Sequence, residues 1–311
     1  DFWSAQGYEE YLGSVTIDCG LQPRRFRDVA NDWQWDRSLE ICPALEQLAG
    51  LRQNYHGPLN FWWEFPKGYD KTTSTAREMN WLLAFARRPL VMYACGGDRD
   101  QAALIRQAME RELELNPWLK RRVEVTGYHA RGLENGSTLE ILAADAATAQ
   151  GKFPDYIAIE EVTIWRHQSG REFWDAMYSS RNKKPHCIVK CNTNAGFKGT
   201  WQHDIKKQIA SSPRWAVRTH PERTMSATWM SAAAIAEYRK LLLPAEAKRV
   251  LDNIWVDPGE ENGYLTLEEA EACVDPNLTE RTSGEPGTYY WFAFDYGGVH
   301  DRSAGAVMHA V

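Results

Sequence analysis

Two short stretches carry side chains whose types and spacing could bind and cleave a phosphoanhydride. The first is the run 60–74, where Asn60, Phe61, Trp62, Trp63, Glu64 and Phe65 lead through Pro66, Lys67, Gly68, Tyr69 and Asp70 into Lys71, Thr72, Thr73 and Ser74. An apolar strand that enters a tight turn and then a helix is the layout of a phosphate-binding loop. The strand aims the loop, backbone N–H groups cradle phosphates, and the helix N-terminus adds partial positive charge. Lys71 would reach the β- and γ-phosphates, and the Thr72 hydroxyl would hold Mg²⁺. The match to G-x-x-x-x-G-K-[ST] is partial. Phe65 stands at the first glycine and Asp70 at the glycine before the lysine, leaving Gly68 as the turn residue that tolerates positive φ. The alternative is an ordinary strand–turn–helix with a surface lysine.

The second stretch is 154–165. An apolar strand over 156–159 delivers two adjacent acids, Glu160 and Glu161, at its C-terminal end. In parallel α/β sheets ligands sit at the carboxyl ends of strands. Glu160 could bind Mg²⁺, directly or through water, while Glu161 orients and deprotonates an attacking water. This is a Walker-B-like pattern with Glu where Asp is commoner. Its alternative is a pair of exposed acids at a strand end. A further apolar run, 185–194, ends in Asn192, Thr193 and Asn194, beside the acidic strand, where it could sense a γ-phosphate or simply turn.

These groups need a scaffold. Apolar strands are expected at 90–95, 121–127, 138–144 and 215–220, with helices over 72–88, closed by Pro89, and over 98–115, capped by Asp98. Alternating strands and helices argue for a parallel sheet covered on both faces. Residues 1–58 read as mostly helical, with Pro43 among the punctuation. There, Gln34 between Trp33 and Trp35 is suited to clamp an adenine, or the two Trp simply pack an amphipathic helix. Helical patterns at 230–243 and 244–255 suggest a linker or lid. A hairpin over 288–295 and 304–311 follows. The expected organisation is 1–225 for a P-loop ATPase domain, 226–287 for the linker and 288–311 for the start of a further domain.

At 311 residues the chain has ample material for a core, and its 14 Trp are its one unusual feature. A net charge of −6 argues against a general polyanion-binding surface. Local basic clusters at 120–122, 181–184 and 206–207 remain possible contacts for phosphate groups, or are solvated helix ends. The six Cys form no C-x-x-C pair and read as reduced thiols, and Cys187 and Cys191 read as buried strand positions rather than metal ligands. No membrane-length apolar run occurs. Without an initiator Met, the chain reads as a fragment or a trimmed form.

Taken together, these stretches resemble the large terminase subunit of tailed bacteriophages, the ATPase–nuclease that packages DNA into procapsids. The run from Pro66 to Thr72 is similar to that family's P-[RK]-G-x-x-K-[ST] loop, and 93–102 to its strand-to-helix D-x-x-Q-A segment. The run 143–161 is similar to its approach to Walker B. Leu243, Pro244 and Arg249, then Asn253 and Trp255, resemble its linker. Phe294, Asp295, Tyr296 and Gly297, then Asp301 and Ala304, resemble the opening hairpin of its RNase H-like nuclease. The resemblance implies an α/β P-loop NTPase that binds ATP through Gln34, Pro66, Lys67, Gly68, Tyr69, Asp70, Lys71, Thr72 and Thr73. Glu161 would be its catalytic carboxylate, Thr72 and Glu160 its Mg²⁺ residues, Thr193 and Asn194 its coupling motif, and Asp295 the first metal-binding acid of the nuclease.

It also implies double-stranded DNA, a portal protein and a small terminase subunit as partners, in the cytoplasm of a bacterial host and without a membrane. A homo-oligomeric ring would be the active form and a monomer the isolated one. Gln150 stands near a position where many relatives carry an arginine finger, and Arg99, Arg166 or Arg181 could replace it. Asp295 and Asp301 fall short of the carboxylates that two-metal cleavage needs, so this chain is not expected to cut DNA. Rival readings are another P-loop DNA motor, such as a helicase or repair ATPase, or an inactive P-loop scaffold.

Overall fold

A computed structural model describes residues 7–19, 22–145, 149, 151–165, 168–220, 229–257, 272, 283–295 and 304–309. Gln150, Arg166, Tyr296, Gly297 and Asp301 lie outside the described residues. Contacts divide the chain into two compact units, 1–263 and 264–311.

The first unit opens with α1 (Tyr8–Ser14), the two-residue strands β1 (Thr16–Ile17) and β2 (Arg24–Arg25), α2 (Phe26–Val29) and α3 (Asp32–Leu48). Then come β3 (Asn60–Glu64), α4 (Lys71–Phe85), β4 (Val91–Gly96), α5 (Arg99–Leu115) and α6 (Pro117–Lys120). The short strands β5 (Val123–Thr126) and β6 (His129–Gly132) lead to β7 (Thr138–Ala143) and β8 (Tyr156–Glu160). After these come α7 (Gln168–Ser180), β9 (Ile188–Thr193), α8 (Trp201–Ala210), β10 (Trp215–Thr219), α9 (Ala232–Leu241) and α10 (Pro244–Val250).

Eight strands form one sheet in the order β10-β3-β9-β8-β4-β7-β6-β5. Neighbours from β10 to β7 pair in parallel, while β6 runs antiparallel to β7 and β5 antiparallel to β6. The expected parallel sheet is therefore present, with β6 as an added strand. All five residues of β3 and of β8 are buried, as strands covered on both faces must be. The alternation of β3 shows how. Phe61 and Trp63 join the core formed with α1, α3, α4 and α5, whereas Trp62 joins the core under α7 and α8. Helix α3 runs through Pro43 instead of ending there. Burial of Ile41, Cys42, Ala44, Leu45 and Leu48 along one stripe holds the helix despite the missing N–H. Among the described residues, no helix is long and apolar enough to cross a membrane.

In the second unit, β11 (Tyr290–Asp295) and β12 (Ala304–His309) form the expected antiparallel hairpin, with Tyr290 opposite His309 and Asp295 opposite Ala304.

Candidate phosphate-binding site

The loop between β3 and α4 leaves the sheet beside β9, where the Phe65 N–H donates to the Thr193 carbonyl at 2.9 Å. It then makes two left-handed steps, Gly68 at φ 85° and Asp70 at φ 52°. Glycine takes such a step freely, and Asp is among the few other residues that tolerate it. Asp70 is also held by charge. Its Oδ2 pairs with Arg37 at 3.2 Å and with Arg77, and it accepts from the Gln34 amide at 2.7 Å. Burial alone would raise the Asp70 pKa, but Arg77 and then Arg37 hold it below the ordinary carboxylate value. Arg37 also donates to the Tyr69 carbonyl and lies against the rings of Trp33, Trp63 and Phe65. Asp70 and its two arginines thus do the shaping that the absent glycine would leave to the backbone.

Lys71 and Thr72 open α4. The Lys71 ammonium contacts the carbonyls of Phe65 at 3.0 Å and Pro66 at 3.1 Å, and pairs with Glu161 Oε1 at 3.2 Å. The Thr72 hydroxyl meets Glu160 Oε2 at 3.3 Å. The other Glu160 oxygen accepts from Thr75 at 2.6 Å and from the Asn192 amide at 3.0 Å. Burial raises the Glu160 pKa, opposed by Lys190 and by the bonds from Thr75 and Asn192. Lys190 is itself fully buried, bonded to Glu78 at 2.6 Å and set over the Trp63 ring.

Adjacent residues on a strand point to opposite faces, yet both acids reach the loop. The strand ends at Glu160, and Glu161 takes a left-handed conformation, φ 53°, while its N–H donates to the Asn192 carbonyl at 2.7 Å. That turn swings the second carboxylate onto Lys71. A non-glycine residue in this region is a strained position of the kind that clusters at functional sites. Glu161 Oε2 has no hydrogen-bond partner among the described residues, although it is buried.

Lys71, Thr72 and Glu161 line a cavity of about 680 Å³, within the range of small-molecule sites, whereas Glu160 is buried behind Thr72 and does not line it. Its walls include Lys71, Thr72, Glu161, Asn194, Gln101 and Arg249. Thr193 faces inward, its hydroxyl paired with that of Thr163 at 2.8 Å, while the buried Asn194 Oδ1 has no partner among the described residues. From the next residue, the Ala195 N–H donates to Asn253, whose amide also bonds the carbonyls of Glu64 and His220.

The expected site residues are therefore gathered, but not all of them face the cavity. Gln34 does not line it. Its amide is engaged with Asp70 and its oxygen accepts from the Asn31 N–H at 3.0 Å, capping α3, so the adenine clamp expected there has no free polar edge. Lys67 lines the cavity, but its ammonium turns to the Tyr238 hydroxyl at 2.9 Å rather than towards Lys71. Tyr69 is buried against Trp33, while Pro66, Gly68 and Thr73 belong to the loop as expected. Asp295 lies on β11 of the second unit.

Several contributors escape sequence reasoning. Arg37, Arg77 and Thr75 read as ordinary helix residues. Asn192 and Lys190 had a visible signal, since two polar residues at i and i+2 break an otherwise apolar buried strand. The basic clusters are partly engaged within the protein: Arg122 pairs with Glu134, Lys184 with Asp155 and Lys206 with Glu64. Arg181 adjoins Lys184, which binds Asp155 at the start of β8, so it lies at the end of the sheet opposite the loop. Cys187 and Cys191 are buried at β9, and no group of three or more His, Cys, Asp or Glu among the described residues could hold a metal ion.

A scan against protein-family models finds no match, and neither does a search of the curated proteins. Solved structures do match. The large terminase of bacteriophage HK97 superposes with a TM-score of 0.64 and 16% identity, over 80% of this chain and 55% of that one. The large terminase of a thermophilic bacteriophage, in complex with ADP, gives 0.52 and 12%, over 86% and 64%. The same thermophilic terminase in complex with ATP-γ-S gives 0.50 and 11%, over 82% and 61%. The chain thus has the fold of phage large terminases and spans between about half and two thirds of the length of these relatives.

Proposed function

We propose that this chain is the ATP-hydrolysing part of a DNA-packaging motor of the large terminase type. The observation that carries the proposal is the double contact between loop and acidic strand end, Thr72 on Glu160 and Lys71 on Glu161. It supports Lys71 as the lysine that would hold phosphate, Thr72 and Glu160 as the pair that would hold a metal ion, and Glu161 as the base, with Lys71, Thr72 and Glu161 open to one cavity. The likeness of fold to terminases that bind ADP and ATP-γ-S supports nucleotide as the ligand.

Thr72 and Glu160 supply hard oxygen donors in contact beside the loop, and these fit Mg²⁺, which takes one or two protein oxygens together with phosphate and water. When bound, the ion neutralises charge on the β- and γ-phosphate oxygens. The protein's own work follows from its geometry. The loop N–H groups and Lys71 hold the phosphates in line. The orphaned Glu161 oxygen accepts a hydrogen bond from water and then its proton, as that water attacks the γ-phosphorus. Asn194 offers its side chain to the terminal phosphate, and the path from Asn194 through Ala195 and Asn253 to Glu64 ties that end of the cavity to the segment carrying α10. In the assembled motor the polymer moved is double-stranded DNA, gripped through phosphates without sequence preference, with a portal protein and a small terminase subunit as partners.

Mg²⁺-ATP turnover, measured with and without duplex DNA, tests this. Wild type should hydrolyse ATP, and Lys71→Ala should neither bind nor hydrolyse it. Nucleotide binding with no hydrolysis in any assembly would leave an inactive scaffold.

A further inference from the structure

Lys190 is wholly buried on β9, two residues before Asn192. Residues i and i+2 of a strand share a face, so both side chains meet α4, the helix that opens on Lys71 and Thr72. A buried ion pair is weak evidence for stability, since an apolar pair of similar volume commonly serves as well. The pairing of Lys190 with Glu78 at 2.6 Å therefore has to be explained otherwise. We propose that Lys190 is a positioning residue for Glu160. It clamps α4 to β9 so that Thr75 donates to one oxygen of that carboxylate while the other stays turned to Thr72. The inference rests on the phosphate-site reading above, in which Thr72 and Glu160 would hold the metal ion.

An ammonium has three N–H donors and no acceptor. Those of Lys190 meet three oxygens along one face of α4: Glu78 Oε1 at 2.6 Å, Thr75 Oγ1 at 3.3 Å and Ser74 Oγ at 3.5 Å. The other Glu78 oxygen accepts from the Tyr156 hydroxyl, at the start of β8, so the clamp is itself anchored. The ammonium also lies 4.6 Å from the centre of the Trp63 ring, a cation–π contact that joins β3 to it. Lys190 does not line the cavity, so it reaches Glu160 only through Thr75.

The donors around Thr75 dictate where its hydrogen points. A threonine hydroxyl carries one hydrogen and two lone pairs. Lys190 donates to this one, and so does the Asn192 amide at 2.8 Å. Both lone pairs are then taken, and the hydrogen is left for Glu160 Oε1 at 2.6 Å. Asn192 donates to the same carboxylate oxygen at 3.0 Å, so Oε1 is held by two donors. Glu160 Oε2 is left to Thr72, at 3.3 Å. The rotation of the carboxylate is thereby set by the protein alone, which is what the outer partners of metal ligands do.

The test removes the clamp without leaving a buried charge. In Lys190→Met combined with Glu78→Gln both members of the pair become neutral, and the glutamine oxygen can still accept from Tyr156. Binding of Mn²⁺, a paramagnetic substitute for Mg²⁺, to protein saturated with ADP is followed by electron paramagnetic resonance. ADP affinity without divalent ions and the melting midpoint are measured beside it. The expected result is a Mn²⁺ affinity lower by about 10–100-fold, the usual cost of removing an outer partner of a metal site. ADP affinity without metal and the melting midpoint should stay close to wild type. The Mg²⁺ concentration giving half-maximal turnover should rise by a similar factor. Thr75→Val, which keeps the volume and removes the hydroxyl, should weaken Mn²⁺ binding in the same way, and Thr75→Ser should retain it. Wild-type Mn²⁺ affinity in the double variant or in Thr75→Val overturns the inference. Wild type that binds no ADP, or binds ADP but no Mn²⁺, instead removes the phosphate-site reading on which the inference stands. If the double variant does not fold, the comparison of Val with Ser at position 75 decides the question, because Lys190 reaches Glu160 only through that hydroxyl.

Discussion

The two ends of β8 make opposite use of buried acids. Before its first residue, Asp155 is 1% exposed and its carboxylate is fully engaged: Arg88 at 3.0 Å on one oxygen, Lys184 at 2.5 Å and the Val91 N–H at 2.8 Å on the other. At the other end of the strand, Glu161 Oε2, Asn192 Oδ1 and Asn194 Oδ1 are buried without partners among the described residues. Buried polar atoms are nearly always satisfied, and each exception asks for an explanation. The start of β8 thus carries a closed electrostatic lock, while the paired ends of β8 and β9 carry open valences. The contrast separates holding the sheet together from binding something at its edge.

The sharpest way to break that contrast is at the open end. Glu161→Gln keeps the shape of the side chain and removes the proposed base. Turnover should drop by about 10²–10⁴, the span of general acid–base catalysis, while ATP binding persists. Because Glu161 also pairs with Lys71, the amide should leave binding unchanged or slightly tighter, as the lysine is released towards phosphate. Filter binding alongside single-turnover hydrolysis checks both. An equal loss of binding and turnover would make Glu161 a strut like Asp155.

Asp70 is a lock placed inside the loop itself. Asn at this position keeps the left-handed backbone, so Asp70→Asn isolates the charge. It strands Arg37 and Arg77, both of which are only 4% exposed, and removing one partner of a buried pair costs about 3–5 kcal/mol. Since the arginines hold the folded-state pKa of Asp70 below its ordinary 3.8, this stability is present above that value and is lost as pH falls through the lower folded one. Denaturant melts at neutral and acid pH should therefore converge for wild type and variant only at the acid end.

These two cases show what the sequence discloses. Strand, loop and helix were legible because an apolar run, Gly68 and the Lys71–Thr72 pair lie close together along the chain. The acidic pair was legible because it ends a wholly apolar strand. The roles of Arg37 and Gln34 were not, because their partner Asp70 lies 33 and 36 residues further along the chain. Periodicity alone treats a helical arginine as solvated. Strand β6 escaped because its four residues, His129, Ala130, Arg131 and Gly132, include no β-branched or large apolar side chain and sit between turns. Arg249 was visible only as one letter of a linker, since the backbone bond that docks it joins Lys67 to Val250, far apart in sequence.

Glu112 tests whether a buried acid with a raised pKa must belong to the cavity proposed to bind nucleotide. It lies on α5, bonded to Asn80 at 2.6 Å, beside a separate small cavity shared with Asp70 and Arg77. Burial pushes its pKa up to about 7, against the pull of Arg77 and the Asn80 bond. The folded state thus favours the protonated acid. The stability is complete below about 4.5, where the unfolded chain is protonated too, and it is lost as pH rises to about 7. Glu112→Gln should remove this slope and stabilise the protein at pH 8 by up to about 3 kcal/mol. Turnover per folded molecule should not change.

The smallest expected effect is at the closed end, and it bears most directly on the comparison. Arg88 and Lys184 are 46% and 25% exposed, so both can return to water if Asp155 loses its charge. Asp155→Asn should therefore cost only about 1–2 kcal/mol, the loss of charge-assisted hydrogen bonds rather than the stranding of buried cations. The Val91 N–H can still find the amide oxygen, so the β4–β8 pairing should survive. If the two ends are independent, ATP turnover per folded molecule stays at the wild-type value while the melting midpoint falls. A change in turnover without a matching change in stability would mean that β8 transmits strain from its lock to Glu160 and Glu161. The closed end would then be part of the catalytic machinery and not merely its support.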